Sequence, residues 1–214
     1  MRAHLPFLPV VALSLLSAPA AAAAAELTID GNLTLTSRYM ASGQQQTTGA
    51  AFQPSIELGY GGAYAGLWAS NLSSSLAGHS AEFDISLGYR TQFGPLAVDL
   101  GYVRYFYTAP WDASSGQLVL DLSGAPAEGT ELGLNIAYDP DARESDISAS
   151  IGQQIGERFA VAAGYGRVEN SHSYWSVGGS YALSDAANVD LTWHDTTVDK
   201  GIAVLSLSYD FSLR

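Results

Sequence analysis

Apolar and polar residues alternate with a period of two along most of the chain after residue 26. The stretch from Glu82 to Phe93 is typical, because nearly every second position is apolar and the positions between are polar or small. Its apolar positions are Phe83, Ile85, Leu87, Tyr89 and Phe93. Such alternation predicts β-strands with one apolar and one polar face, and it argues against helices.

About twelve alternating segments follow one another, with turn-forming or polar residues between them. We place them at 27–40, 50–60, 63–73, 80–93, 96–107, 116–123, 130–138, 145–154, 158–168, 172–183, 187–195 and 200–212. The connections alternate between short turns and longer or more polar loops, which is typical of bacterial outer-membrane barrels. The pattern therefore predicts an all-β fold: a single transmembrane, antiparallel, up-and-down β-barrel of about 12 strands.

A soluble sandwich or lipocalin-like barrel is the rival fold, and it would bury its apolar face at the centre and expose charged residues. Here the polar face is rich in Ser, Thr, Gly and Asn, with scattered acids and almost no lysine. The apolar face carries aromatic residues near strand ends, like the interfacial girdles of membrane barrels. These are Tyr39, Tyr60, Tyr89, Tyr138, Tyr165, Tyr209 and Phe211. Both features favour apolar side chains that point outward into lipid.

Two tight hairpins test the register. A two-residue turn at Gly94-Pro95 pairs Phe93 with Leu96 and Arg90 with Asp99, and every pair then keeps its face. At the 61–62 turn, a two-residue connection would direct Tyr64 and Trp68 into the lumen. A three-residue turn with a bulge would reverse the faces of segment 63–73, so the sequence leaves its orientation open.

The first 25 residues resemble a secretory signal peptide, with a short polar start, an apolar stretch and a run of small residues. Cleavage after Ala23 or Ala25 is expected. The chain then divides into a signal peptide, 1–25, and an outer-membrane β-barrel, 26–214. This arrangement predicts the outer membrane of a Gram-negative bacterium.

The charge balance excludes several function classes. The chain has 21 acidic and 9 basic residues, a formal net charge of −12, and no cysteine. Nucleic-acid binding needs basic patches and is not expected, since Lys200 is the only lysine. Without cysteine there is no thiol catalysis, no thiolate zinc site and no disulfide framework. We expect no cofactor and no resident metal.

Most charged positions on the polar face are acidic, so a barrel would have an electronegative lumen that attracts cations. The predicted pore-lining residues are Asp30, Arg38, Glu57, Glu82, Asp84, Arg90, Asp99, Glu131 and Asp190. The expected function is passive diffusion of small hydrophilic solutes with a mild preference for cations. In the alternative interpretation, these carboxylates only keep the lumen wettable.

Tyr64 and Trp68 are a possible constriction if they point inward. Together with segment 41–49 they could close the lumen, which would make the protein a non-conducting structural or adhesive barrel. A third hypothesis is an outer-membrane lipid hydrolase, which needs a Ser–His pair with an orienting partner. His79, His172 and His194 are not set in a Gly-x-Ser-x-Gly elbow or a metal-binding spacing, so we predict no catalysis.

Residues 31–107 carry a resemblance to a known family. The similar elements are 31–39 (GNLTLTSRY), Gly43 with 44–47, 64–71 (YAGLWASN), 82–84 (EFD) and 88–89 (GY). In their order and spacing they resemble the TorF-type family of porins of Gram-negative outer membranes. The resemblance implies an outer-membrane β-barrel whose solute is undefined. The expected partners are outer-membrane lipid, the barrel-assembly machinery during insertion, and small hydrophilic solutes.

Overall fold

The computed structural model describes residues 26–108 and 116–213. The predicted signal peptide, 1–25, and residues 109–115 of a predicted connection lie outside the described residues. The extended strands are β1 Leu27–Thr36, β4 Ala51–Tyr60, β5 Ala63–Asn71, β6 Ala81–Phe93, β7 Leu96–Thr108, β8 Gly116–Ala127, β9 Thr130–Asp139, β10 Glu144–Ile155, β11 Phe159–Val168, β12 Ser173–Ala182, β13 Ala187–Thr196 and β14 Ile202–Ser212. Two short strands, β2 Met40–Ala41 and β3 Gln44–Gln45, and one helical turn, α1 Ser74–Ala77, lie in loops.

The twelve long strands form a closed antiparallel barrel. Each pairs with its neighbour in sequence, and β1 closes the barrel by pairing with β14 on one side and β4 on the other. Closure leaves no unpaired sheet edge, which is the condition for a sheet in hydrocarbon. The predicted fold class is confirmed. No helix within the described part of the chain is long and apolar enough to cross a membrane.

The apolar face of the sheet points outward. Leu87 on β6 is 57% exposed and Leu100 on β7 is 58% exposed, although both lie within long strands. Large apolar side chains on every long strand are likewise exposed, so no core of leucine and phenylalanine fills the centre of the barrel among the described residues. The prediction of an apolar outer face and a polar interior is confirmed.

The structure settles both hairpin registers. Phe93 pairs with Leu96 and Arg90 with Asp99, as predicted for the 94–95 turn. At the 61–62 turn, Tyr60 pairs with Ala63, so this connection also has two residues. Segment 63–73 therefore has the orientation in which Tyr64 and Trp68 point into the lumen.

Three details differ from the sequence-based expectation. Strand β1 ends at Thr36 instead of continuing to residue 40, and Tyr39 is buried instead of facing outward. Strand β8 continues to Ala127 through an irregular register after Gly124, where a loop was expected. All three differences arise from local backbone irregularities that side-chain alternation does not encode.

Pro54 lies inside β4 without breaking the barrel. The ladder between β4 and β5 starts at Ser55, directly after it, so the missing N–H is not required there. Beyond this point, the Asn71 side chain accepts a hydrogen bond from the Phe52 N–H at 2.8 Å. A side chain thus replaces the interrupted ladder.

Candidate functional site: the barrel lumen

The interior divides into two halves with different packing. Toward the longer loops, the inward side chains are buried; this packed half contains Glu82, Asp84, Tyr105, Tyr107, Asp146 and Tyr174. Toward the short turns, the inward side chains are half-buried or exposed; this open half contains Glu57, Arg90, Asp99, Asp121, Glu131 and Asp190. A solute entering from the short-turn end would therefore meet a solvated vestibule first.

Loop 37–50, between β1 and β4, folds into the packed half. Its small hairpin of β2 and β3 reverses at Ser42 and Gly43, whose φ angles of 47° and 78° are both positive. Two central residues with positive φ are typical of a tight type I′ hairpin. The loop side chains Tyr39, Gln46 and Thr47 are buried. The loop thus narrows the lumen with its own backbone and side chains.

Tyr39 attaches one side of the loop to the barrel wall. Its hydroxyl donates to Glu82 Oε2 at 3.1 Å, while Tyr107 donates to Glu82 Oε1 at 2.8 Å. The Tyr39 ring lies 5.5 Å from the Trp68 ring, centroid to centroid. Burial, with the negative charges of Glu82 and Asp84 adding to it, raises the pKa of Tyr39 well above its usual value. The phenol is therefore a neutral donor.

Ser42 attaches the other side of the loop to the opposite wall. Its hydroxyl donates to Asp146 Oδ2 on β10 at 2.6 Å. Tyr174 on β12 donates to both oxygens of Asp146, at 2.9 and 3.0 Å, and His172 Nε2 lies 2.8 Å from the Ser42 carbonyl oxygen. Three strands separate β6 from β10 along the barrel, so the loop spans the lumen from wall to wall.

Arg90 is the centre of a charged cluster in the open half. Its guanidinium donates to both oxygens of Glu57, at 2.5 and 2.8 Å, and to Asp99 Oδ2 at 2.8 Å. The Arg90 Cζ atom lies 3.9 Å from the centre of the Tyr64 ring. The sequence pointed to the Arg90–Asp99 pair through the hairpin register. The stronger bidentate contact with Glu57 was missed, since it crosses a strand that the hairpin arithmetic did not include.

Tyr64 crosses the inner wall over two glycines. A Cβ atom at Gly101 would lie 2.7 Å from the Tyr64 hydroxyl oxygen, and one at Gly88 would contact the ring. The hydroxyl donates to Asp99 Oδ1 at 2.8 Å. The Tyr64 ring fits against the wall because Gly88 on β6 and Gly101 on β7 have no side chains. Tyr64 and Trp68, the two residues of the possible constriction, lie on the inner face in the open and packed halves respectively.

The remaining predicted pore-lining residues fall in different places. Asp30 and Glu131 lie near the short-turn end, where Asp30 is exposed and Glu131 half-buried. Asp190 accepts a hydrogen bond from Thr192 at 2.7 Å. Arg38 is not on a strand, since β1 ends before it; it belongs to loop 37–50 and donates to the Ser37 carbonyl oxygen at 2.6 Å.

Two of the histidines, His172 and His79, contact residues of loop 37–50 and of the packed half. Ser171 Oγ lies 2.9 Å from His172 Nδ1, but the other ring nitrogen of His172 is engaged by the loop backbone, as above. His172 is buried in the packed half, and the His79 ring stacks on Tyr107 at 4.8 Å. Within the described residues, no group of three or more His, Asp or Glu could hold a metal ion.

Residues 20–211 match a bacterial protein family, Gcw_chp, which is described as a bacterial protein of unknown function. The chain belongs to the Gcw_chp family. No curated protein sequence matches it.

The Gcw_chp barrel is similar in fold to solved porins. With KdgM porin the TM-score is 0.64 at 8% identity, covering 87% of this chain and 99% of that one. A KdgM porin in complex with disordered oligogalacturonate gives 0.62 at 8% identity, with the same coverage. NanC porin gives 0.53 at 10% identity, covering 85% of this chain and 97% of that one. The Gcw_chp chain thus has a porin-like fold, with the sequence almost entirely different.

Proposed function

We propose that this protein is an outer-membrane channel for passive diffusion of small hydrophilic solutes, with a mild preference for cations. The observation that carries the proposal is the charge of the lumen. Within the described strands, Arg90 is the only lysine or arginine on the inner face, and two carboxylates already bind it. The other inward carboxylates leave the lumen negative, which concentrates cations and repels anions.

The mechanism needs no bond to be made or broken. A solute enters the open half, where half-buried polar side chains replace part of its hydration. Loop 37–50 then limits its size, because the loop occupies the packed half between β6 and β10. Selection therefore combines a steric limit with the field of the carboxylates.

The same charge argues against acidic solutes. One of the similar structures is a KdgM porin in complex with oligogalacturonate, whose repeating carboxylates make it a polyanion. In the present lumen, a polyanion would meet like charge along the open half, and like charges in a low-dielectric passage repel strongly. We infer that the shared fold carries a different solute preference here.

The apolar outer face of the barrel supports a location in the outer membrane. Outer-membrane lipid is the proposed partner of that face. Its exposed band of leucine, isoleucine and phenylalanine suits hydrocarbon. The similarity of residues 31–107 to TorF-type porins agrees with this location. Strand β14 ends in an apolar, aromatic series through Leu207, Tyr209 and Phe211, which we interpret as the signal for the barrel-assembly machinery. The short turns and both termini would then face the periplasm.

Planar-bilayer recording on the purified mature barrel tests the proposal. We expect discrete conductance steps and a reversal potential, in a KCl gradient, displaced toward the potassium equilibrium potential. The triple variant Asp121→Asn, Glu131→Gln, Asp190→Asn should bring the reversal potential closer to zero, since it removes three negative charges from the open half. An anion preference in the unmodified protein would refute the proposal.

A non-conducting structural barrel is the second candidate, and loop 37–50 favours it. The loop is attached to both walls, so it could close the lumen completely. Removing residues 40–47 and joining the ends with glycine should convert a silent barrel into a conducting one. If the unmodified protein gives no steps and the shortened one does, the structural role is preferred.

A further inference from the structure

Two buried carboxylates on β6 have unequal surroundings. Glu82 and Asp84 are two positions apart, so both side chains point into the lumen. They are only 1% and 3% exposed. In the barrel register, Asp84 lies between Trp68 on β5 and Tyr105 on β7. The two acids thus share one enclosed part of the packed half.

Glu82 is satisfied by its neighbours and Asp84 is not. Both oxygens of Glu82 accept phenol hydrogen bonds, from Tyr39 and Tyr107. Neither oxygen of Asp84 has a hydrogen-bond partner, and neither acid forms an ion pair with a basic side chain in the described residues. Arg38, the nearest basic residue of loop 37–50 in sequence, donates to the Ser37 carbonyl oxygen through Nη1, and its Nε atom is likewise buried without a hydrogen-bond partner.

An unpaired carboxylate is expensive at this depth. Burying one without a partner costs several kcal/mol, because the lost hydration is not replaced. Protonation removes the charge but leaves a buried hydroxyl with no acceptor. Within the described residues, no side chain forms a hydrogen bond or an ion pair with Asp84, so a bound cation would compensate its buried charge.

We propose that Glu82 and Asp84 bind a hard divalent cation of the Ca²⁺ class. This inference deepens the proposed function and rests on it, since the cation would arrive through the negative lumen. Two carboxylates balance a charge of +2, and oxygen is the ligand that such ions prefer. The phenol oxygens of Tyr39 and Tyr107 lie next to the Glu82 carboxylate, and water would complete the coordination of the cation. With two carboxylates, a weak site is expected, with Kd on the order of 10⁻⁴ to 10⁻³ M.

Terbium luminescence on the folded mature barrel in detergent tests this site directly. Tb³⁺ replaces Ca²⁺ at oxygen sites and emits when a nearby excited indole transfers energy to it. Trp68, the register partner of Asp84, would be that donor. We expect sensitised emission that millimolar Ca²⁺ displaces. Asp84→Asn should weaken Tb³⁺ binding by about tenfold or more, as expected for the loss of a ligand oxygen.

Asp190→Asn is the matched control, because Asp190 is an inward carboxylate on a distant strand with its own hydrogen-bond donor. It should leave Tb³⁺ affinity unchanged. Equal affinity in Asp84→Asn and the unmodified barrel, or equal losses in both variants, would overturn the site. Should Asp84→Asn fail to fold, judged by heat-modifiable electrophoretic mobility, Glu82→Gln takes its place. The assay does not need conduction. Tb³⁺ binding by a barrel that gives no conductance steps would therefore refute the channel function and support the cation site. Conductance without Tb³⁺ binding would refute the cation site and support the channel function.

Discussion

The guanidinium of Arg90 binds the carboxylate of Glu57 across strand β5, through two hydrogen bonds of 2.5 and 2.8 Å. Bidentate geometry of this kind is stronger and more directional than a single ionic contact. Asp99 accepts a third hydrogen bond from the same guanidinium, at 2.8 Å. The Arg90 side chain therefore offsets part of the negative charge of the open half and joins strands β4, β6 and β7.

The first prediction concerns this offset. Arg90→Gln should make the lumen more cation-selective, because Glu57 and Asp99 lose their common counter-ion. The reversal potential in a KCl gradient should move further toward the potassium value. Arg90→Lys keeps the charge and gives up the bidentate geometry, so its selectivity should stay near that of the unmodified protein. Identical reversal potentials for the glutamine and unmodified proteins would contradict the charge argument.

The second prediction concerns the tyrosine that lies over two glycines. Gly88→Ala places a methyl group against the Tyr64 ring and should lower the free energy of unfolding by about 1–3 kcal/mol, as overpacking does. Urea unfolding of the barrel in lipid vesicles measures this. Gly164→Ala is the control, because its added carbon would meet only the flexible Ser176 hydroxyl, at 3.3 Å, and a carbonyl oxygen. A smaller loss for Gly88→Ala than for Gly164→Ala would count against this packing.

The third prediction separates the two faces of the barrel. Leu87 lies at the middle of β6 on the outer face. Leu87→Arg should therefore cost about 2–4 kcal/mol of stability in a bilayer, the range for arginine at the lipid midplane. Ser150 lies at the middle of β10 on the inner face, and Ser150→Arg should cost clearly less, since it faces water. Equal costs in vesicle unfolding experiments would mean that the outer face does not meet hydrocarbon.

The strand pattern was readable because one face of each strand is uniformly apolar. Side-chain alternation fixes the inward or outward direction of each residue, and turn length then fixes register, so Arg90 and Asp99 could be paired from sequence alone. The same logic placed most of the acidic residues on the inner face. For the 61–62 hairpin, alternation allowed two registers, because alanine and glycine mark neither face clearly.

The inward loop could not be predicted in this way. Tyr39 continues the apolar rhythm of β1, so it was assigned to the outer girdle; in the structure the strand has already ended and its hydroxyl binds Glu82 instead. The contact between Ser42 and Asp146 joins residues 104 positions apart. No local signal encodes such a pairing. The Ser-Gly step at 42–43 was the available hint, since it suits a tight hairpin turn.

The fourth prediction follows from the environment of Tyr39. Burial and the neighbouring carboxylates raise its pKa, whereas a solvated tyrosine ionises at about pH 10. The attached form of the loop therefore holds the proton more tightly than a released form. The stability that this contributes is fully present below about pH 10 and is lost as the pH rises from there toward the pKa of the attached form.

Loop 37–50 should consequently detach from Glu82 in alkaline solution. Conductance of the unmodified barrel should stay constant up to about pH 10 and rise above it, as ionised Tyr39 is repelled by Glu82 and Asp84. Tyr39→Phe retains the ring against Trp68 but has no proton to lose, so its conductance should change little over the same interval. An equal rise in both proteins would assign the effect to another titrating group and would remove Tyr39 as the attachment of the loop to β6.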